Sequence, residues 1–154
     1  MISTGIPPKR RFVLFGASSN IGVRVAKRLL DDGMNVRLVA RDPSRLDHRA
    51  ECVAGDGSQT AKFTADATTV ISCAYSQMTP QIMNGLSPRV ETVILLGSAW
   101  RYSKIESASR YAVVDAEALL LSSGRDGAIL HPTMYPAAVG ISSSQSSSMT
   151  SPIA

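Results

Sequence analysis

The chain has 154 residues, 44% hydrophobic and 18% charged, with a net charge of +4. Those figures fit about one soluble globular domain with a core of its own and argue against a disordered polyelectrolyte. No run is long and apolar enough to span a bilayer: the best, Val90 to Leu96, is short and broken by Glu91.

Residues 1 to 10 read as a loose leader. Pro7-Pro8 and Lys9-Arg10-Arg11 have no apolar signal core after them, so no secretory signal is expected. Strand one is expected over Arg11 to Phe15 and helix one over Asn20 to Asp32, with Gly33 as its C-terminal cap. Asn35 to Arg41 reads as strand two, Asp42-Pro43-Ser44 as a turn, and Glu51 to Ala54 as strand three, stopped by Gly55-Asp56-Gly57. A weak helix fills Ser58 to Ala65. Thr68 to Ala74 is strand four, rich in β-branched residues.

A short helix follows over Pro80 to Leu86, then strand five over Val90 to Leu96, closed by Gly97-Ser98. Residues 99 to 106 form a polar loop. A helix covers Ser109 to Ser122, capped by Gly124, and Ala128 to Leu130 is strand six, stopped by His131-Pro132. Strands that are almost continuously apolar and alternate with helices predict an α/β doubly wound parallel sheet covered on both faces. Right-handed crossovers then give a doubly wound sheet, and the strand order 3-2-1-4-5-6 is expected for it. From Ile141 onward the chain turns serine-rich, with seven serines between Ser142 and Ser151, and is expected to be a disordered tail.

The segment Gly16-Ala17-Ser18-Ser19-Asn20-Ile21-Gly22 joins strand one to helix one. Free backbone N–H groups and the positive end of a helix dipole meet there, which suits a pyrophosphate. Gly16 permits a sharp turn, and Gly22 permits close packing on strand and phosphate. Asn20 stands where a glycine is usual and tolerates left-handed backbone geometry. Ser18 and Ser19 offer hydroxyls to phosphate. The plainer alternative is a bare strand-to-helix turn with Asn20 as an ordinary N-cap.

The two cysteines, Cys52 and Cys73, lie in apolar strand-like runs and read as reduced, buried thiols of a cytoplasmic protein. Apart from Lys9-Arg10-Arg11 the basic residues are dispersed and carry no interleaved aromatics. They read as solvated faces plus a phosphate ligand; nucleic acid is not an expected partner.

These segments resemble the short-chain dehydrogenase/reductase superfamily, closest to its atypical and extended branches, the NmrA-like and epimerase-like NAD(P)-binding proteins. Residues 16 to 22 are similar to that family's phosphate turn, Val36 to Pro43 to its second strand, Ala54 to Asp56 to its third-strand end, and Ile94 to Ser98 to its fifth. Ile129 to Tyr135 is similar to its sixth-strand end, and the resemblance covers roughly residues 11 to 136. It implies a Rossmann fold and a nicotinamide dinucleotide, with Asp56 near the adenine and Cys73, Ala74 and Tyr75 along the nucleotide. Asp56 reads equally well as a turn residue.

A carboxylate at the end of strand two would bond the ribose hydroxyls and repel a 2′-phosphate. Arg41 stands there with Arg45 nearby, and a guanidinium matches a phosphate. NADP(H) is therefore expected over NAD(H), although Asp42 follows directly; the alternative is Arg41 as a solvated surface charge.

The resemblance places a catalytic serine at Ser98 and the family's catalytic tyrosine at Tyr111. The family's lysine, four residues after the tyrosine, is replaced by Asp115. Tyr111 and Asp115 share a helix face, and a carboxylate there opposes ionisation of the tyrosine where lysine would assist it. Lys104 is a conceivable stand-in, and Tyr111 reads equally as a half-buried packing aromatic. His131 reads as structural, His48 has no partner in the pattern, and no metal site is expected.

Two functions follow. One is NADP(H)-dependent, oxidoreductase or epimerase-like hydride transfer on a small carbonyl or alcohol. The other is a sensor or regulatory module that binds the cofactor without turning it over. The serine-rich end, where the family builds its substrate pocket, also raises the expectation of a truncated product with little activity. A homodimer and a small-molecule substrate are open partners; a membrane is not expected.

Overall fold

The computed structural model describes residues 10–133. The expected serine-rich tail lies outside them, as do Tyr135 and nearly all of the leader.

Six parallel strands form one sheet: β1 (Arg11–Phe15), β2 (Asn35–Ala40), β3 (Glu51–Ala54), β4 (Thr69–Ser72), β5 (Thr92–Leu96) and β6 (Asp126–Leu130). Their order is β3-β2-β1-β4-β5-β6, as the alternating pattern predicts. Four helices connect them: α1 (Asn20–Asp31), α2 (Thr60–Thr64), α3 (Thr79–Asn84) and α4 (Ala108–Ser122). The chain reverses its direction of travel across the sheet between β1 and β4, which pair directly from Phe12↔Thr69 to Phe15↔Ser72. In such sheets the crevice beyond the strand ends at the reversal is the ligand site.

Because successive strand residues face opposite sides, each inner strand feeds two cores. Val13, Phe15, Val70, Val93 and Leu95 pack with Phe63, Ile82, Ala116 and Leu120 on the side of α2, α3 and α4. Leu14, Val36 and Leu38 pack with Ala26 of α1 and with Leu46 on the other. Full covering of both faces is not what the described residues show. On the α1 side, Ile94 and Leu96 are half-buried while Ala128 and Leu130 are exposed.

Differences from the sequence reading are local. β6 starts earlier than its apolar run, at Asp126, and a side chain at Gly127 would strike the Val93 carbonyl. β4 ends at Ser72, so Cys73 and Ala74 lie past the ladder. Short 3₁₀ turns precede α2 and α3 and occupy Pro43–Arg45 and Ala99–Tyr102. Lys27–Asp31 and Arg28–Asp32 pair one turn apart on the exposed face of α1, consistent with solvated basic faces. Among the described residues no helix is long and apolar enough to cross a membrane.

Candidate functional site

β1 delivers the chain to Gly16, whose φ is +70°. A Cβ there would lie 2.6 Å from both the Ala74 nitrogen and the Cys73 carbonyl carbon, so the turn closes against the chain leaving β4. Ala17 is fully buried, and its N–H donates to the Val39 carbonyl at 3.2 Å. The Ser19 N–H donates to the Gly16 carbonyl at 3.0 Å.

The N-cap of α1 is Ser19, where the bare-turn alternative had Asn20. The Ser19 hydroxyl oxygen accepts the Gly22 N–H at 3.0 Å and donates its own proton to the Cys73 carbonyl at 3.3 Å. Its one proton is thus engaged within the protein, leaving Ser18, exposed, as the turn's hydroxyl available to donate to a phosphate. Asn20 is the first helical residue and does not use the left-handed geometry anticipated for it; every positive φ among the described residues belongs to a glycine. Asparagine is accepted because Ser19 makes the turn in extended backbone.

Of the turn's donors, those of Ala17, Ser19 and Gly22 are spoken for. The N–H groups of Ser18, Asn20 and Ile21 have no partner among the described residues. Orphan N–H groups at a helix start beside the strand ends are what a pyrophosphate satisfies. The residues fit a dinucleotide on this observation, and a side chain at Gly22 would collide with the Gly16 carbonyl.

At the end of β2, Arg41 and Arg45 are exposed and make no side-chain hydrogen bond or ion pair with a described residue. The Asp42 carboxylate accepts the Ser44 N–H at 3.0 Å and caps the turn after β2. The Ser44 hydrogen bonds, helped by the charge of Arg45 and opposed by desolvation, hold that carboxyl below its ordinary range. Between α1 and this turn lies a cavity of about 280 Å³, with Val23, Ala26, Leu38 and Leu46 among its walls beside Lys27, Arg45 and Arg49. Arg49 is paired with Asp31 and Asp47, so Arg45 is the uncommitted guanidinium of that wall.

Asp56 is exposed, and its carboxylate accepts the Ser58 N–H at 2.8 Å and the Ser58 hydroxyl at 2.6 Å, which makes it the cap of a 3₁₀ turn. Cys73 is buried, and burial pushes its thiol up to about 11. Cys52 is half-buried, and neither cysteine is in a disulfide. Tyr75 is exposed.

At the end of β5, the Ser98 hydroxyl oxygen accepts the Trp100 N–H at 3.3 Å and the Ser98 N–H donates to His131 Nδ1 at 3.2 Å. Tyr111 sits in the first turn of α4, more exposed than a packing aromatic, with the Arg110 guanidinium 5.9 Å from its ring centre. Asp115 lies exposed one turn on, and Lys104 is exposed in the preceding loop. Glu117 and Arg101 had no place in the sequence reading. Glu117 accepts from Arg101 at 2.7 Å and meets His131 Nε2 at 2.9 Å. No local spacing signals this group, since Glu117 and His131 are 14 residues apart and meet only across the sheet edge. Among the described residues no cluster could hold a metal ion.

Six parallel strands in this order, with a glycine turn at the reversal point, define a Rossmann dinucleotide-binding domain. The chain belongs to the NAD(P)H-binding family, whose model matches residues 16–116. The resemblance to the short-chain dehydrogenase/reductase superfamily is borne out at that level. A fatty acyl-CoA reductase of Acinetobacter baylyi is 37% identical over 71 residues, 46% of this chain and 23% of that protein. A UDP-glucose 4-epimerase from Thermotoga maritima superposes with a TM-score of 0.69 at 12% identity, over 79% of this chain and 54% of that one. A short-chain dehydrogenase/reductase superfamily protein from Agrobacterium tumefaciens, solved with bound NAD, gives 0.65 at 13% identity, over 79% and 48%. The chain thus spans about half the length of these two solved relatives and under a quarter of the curated one.

Proposed function

We propose that the chain binds NADP(H) in preference to NAD(H) and serves hydride transfer between the nicotinamide and a small carbonyl or alcohol. The pyrophosphate lies on the Ser18, Asn20 and Ile21 N–H groups, and Arg41 with Arg45 takes the 2′-phosphate. Asp42 keeps its charge while it accepts the Ser44 N–H, so the preference depends on Arg41 and Arg45 outweighing that one carboxylate. Asp56 borders the adenine while keeping its capping bonds, and Cys73, Ala74 and Tyr75 border the nucleotide through backbone and ring.

The observation that carries the chemistry is the state of Ser98. Its oxygen accepts the Trp100 N–H, so its own proton is free to donate to a carbonyl oxygen beside the nicotinamide. Tyr111 is the candidate proton donor. Two free thiols suit a reducing, cytoplasmic setting.

Asp115 favours a second reading, a regulatory module of the NmrA-like kind that binds the cofactor without turnover. A carboxylate one helical turn from Tyr111 does not assist ionisation of the phenol as a lysine would.

Titration of the purified chain with NADPH and with NADH, read by Trp100 emission, tests the cofactor. Tighter binding of NADPH that is lost in Arg41→Ala is expected; equal affinities, or an unchanged Arg41→Ala, would remove the NADP(H) assignment. NADPH-dependent turnover of an aldehyde separates the two functions: its absence, with binding intact, selects the regulatory module.

A further inference from the structure

We propose that His131, held by Glu117, is the positioning residue of the candidate reaction centre. It accepts the Ser98 N–H and thereby fixes the Ser98 hydroxyl for a carbonyl oxygen. This rests on the role given to Ser98 above.

The protonation pattern follows from the partners. A backbone N–H can only donate, so His131 Nδ1, 3.2 Å from the Ser98 nitrogen, is the bare acceptor. The ring proton then sits on Nε2 and is donated to Glu117 at 2.9 Å. Glu117 is in turn held by Arg101 at 2.7 Å, and Tyr102 packs edge-on to the ring with centres 5.8 Å apart. The His131 side chain is only 12% exposed.

Two backbone bonds close the same junction, Gly97 N–H to the Leu130 carbonyl at 2.7 Å and Ala99 N–H to the Pro132 carbonyl at 3.2 Å. A side chain at Gly97 would collide with the imidazole. Serine, histidine and glutamate are the residue types of a nucleophilic triad, but the wiring differs. The ring meets the Ser98 backbone and not its hydroxyl, so it orients the serine instead of taking its proton.

A protonated ring would set two donors face to face at Ser98. Glu117 from α4 supports the positive ring, while Arg101 from the turn after β5 opposes it and Tyr102 from that turn adds no charge. The junction therefore holds with the ring proton on Nε2 and Nδ1 bare.

Nitrogen-15 NMR of the histidine rings in the full chain, with no cofactor added, reads this directly. At neutral pH His131 should carry its proton on Nε2 alone. Removing the ring in His131→Phe should change Trp100 emission, because the Trp100 N–H is capped by Ser98. An Nδ1-protonated ring, or exchange between both tautomers, overturns the proposal.

His131→Gln keeps an acceptor and a donor; His131→Phe keeps the bulk and removes both. With NADPH and decanal as probe, kcat should fall about 10- to 100-fold in His131→Phe and largely return in His131→Gln, with KM for NADPH unchanged in both. Equal kcat in wild type and His131→Phe overturns the proposal. If no aldehyde is reduced, the oxidoreductase reading fails, and the ring tautomer with the Trp100 emission of His131→Phe still decides the role of His131.

Discussion

The Ser19 hydroxyl lies 3.3 Å from the Cys73 carbonyl, tying the phosphate turn after β1 to the chain leaving β4. One side chain thus caps α1 and closes the crevice where the strand order reverses.

Ser19→Ala removes both bonds. The lost cap alone should cost about 1 kcal/mol, read as a lower urea midpoint with an unchanged slope. NADPH affinity should fall as well, since the three unpartnered N–H groups depend on this turn. An unchanged midpoint would show that the hydroxyl bonds contribute nothing net.

Gly16 and Gly33 have nearly the same φ, +70° and +72°, but different surroundings. A Cβ at Gly16 meets backbone 2.6 Å away, while one at Gly33 meets nothing within 4 Å. Gly33→Ala should cost only the left-handed strain, about 1 kcal/mol. Gly16→Ala adds the collision and should cost roughly 2–4 kcal/mol and abolish NADPH binding. Equal losses in thermal unfolding would contradict the close approach of the Gly16 turn to the chain leaving β4.

At the opposite end of the strands, Arg37 pairs with Asp66 and Glu51, and Arg11 bridges the same two carboxylates. Burial works against the charged form of Asp66, but the Arg37 hydrogen bond and the charges of Arg37 and Arg11 outweigh it and leave the carboxyl below its usual range. A lowered folded-state value means stability that is present above the unfolded value, near 3.9, and lost as pH falls through the folded one. Arg37→Met should therefore cost about 1–2 kcal/mol at pH 7, discounted because the carboxylates are 44% exposed. The difference from wild type should shrink in urea melts below about pH 3. A pH-independent difference would assign the loss to the Arg37 bond with the Phe63 carbonyl instead.

Burial that pushes the Cys73 thiol up to about 11 leaves roughly a thousandth of it as thiolate at pH 8. Cys52 is shifted the same way by burial and then by the charge of Asp47. Both thiols should react slowly with a chromogenic disulfide in the native protein and promptly in denaturant. Fast native labelling of Cys73 would mean that the junction behind the phosphate turn opens readily.

The strand order, the alternation of strands and helices and the glycine turn were all legible in the sequence. The alternation and the turn are written in apolar runs, in the 3.6 period of α1 and in one residue's backbone freedom, all local properties, and the strand order follows from the general rules for doubly wound sheets. The departures sit where neighbours in space decide. The Ser19 proton is committed because the Cys73 carbonyl, 54 residues on, stands within 3.3 Å of it, and Asp66 is held as a carboxylate because Arg11 and Arg37 reach it from β1 and β2.

The short run Ala128 to Leu130 marks β6, but Asp126 and Gly127 join it because β5 supplies the ladder, with Thr92 beside Asp126 and Val93 beside Gly127. Glu117 and His131 share no motif; right-handed crossovers bring the middle of α4 to the end of β6. Sequence patterning by itself determined which backbone this chain builds and that it carries a phosphate turn. Only the tertiary structure decided which hydroxyls, carboxylates and ring nitrogens remain free to meet a ligand, because hydrogen-bond partners are chosen among groups that the folded sheet brings together.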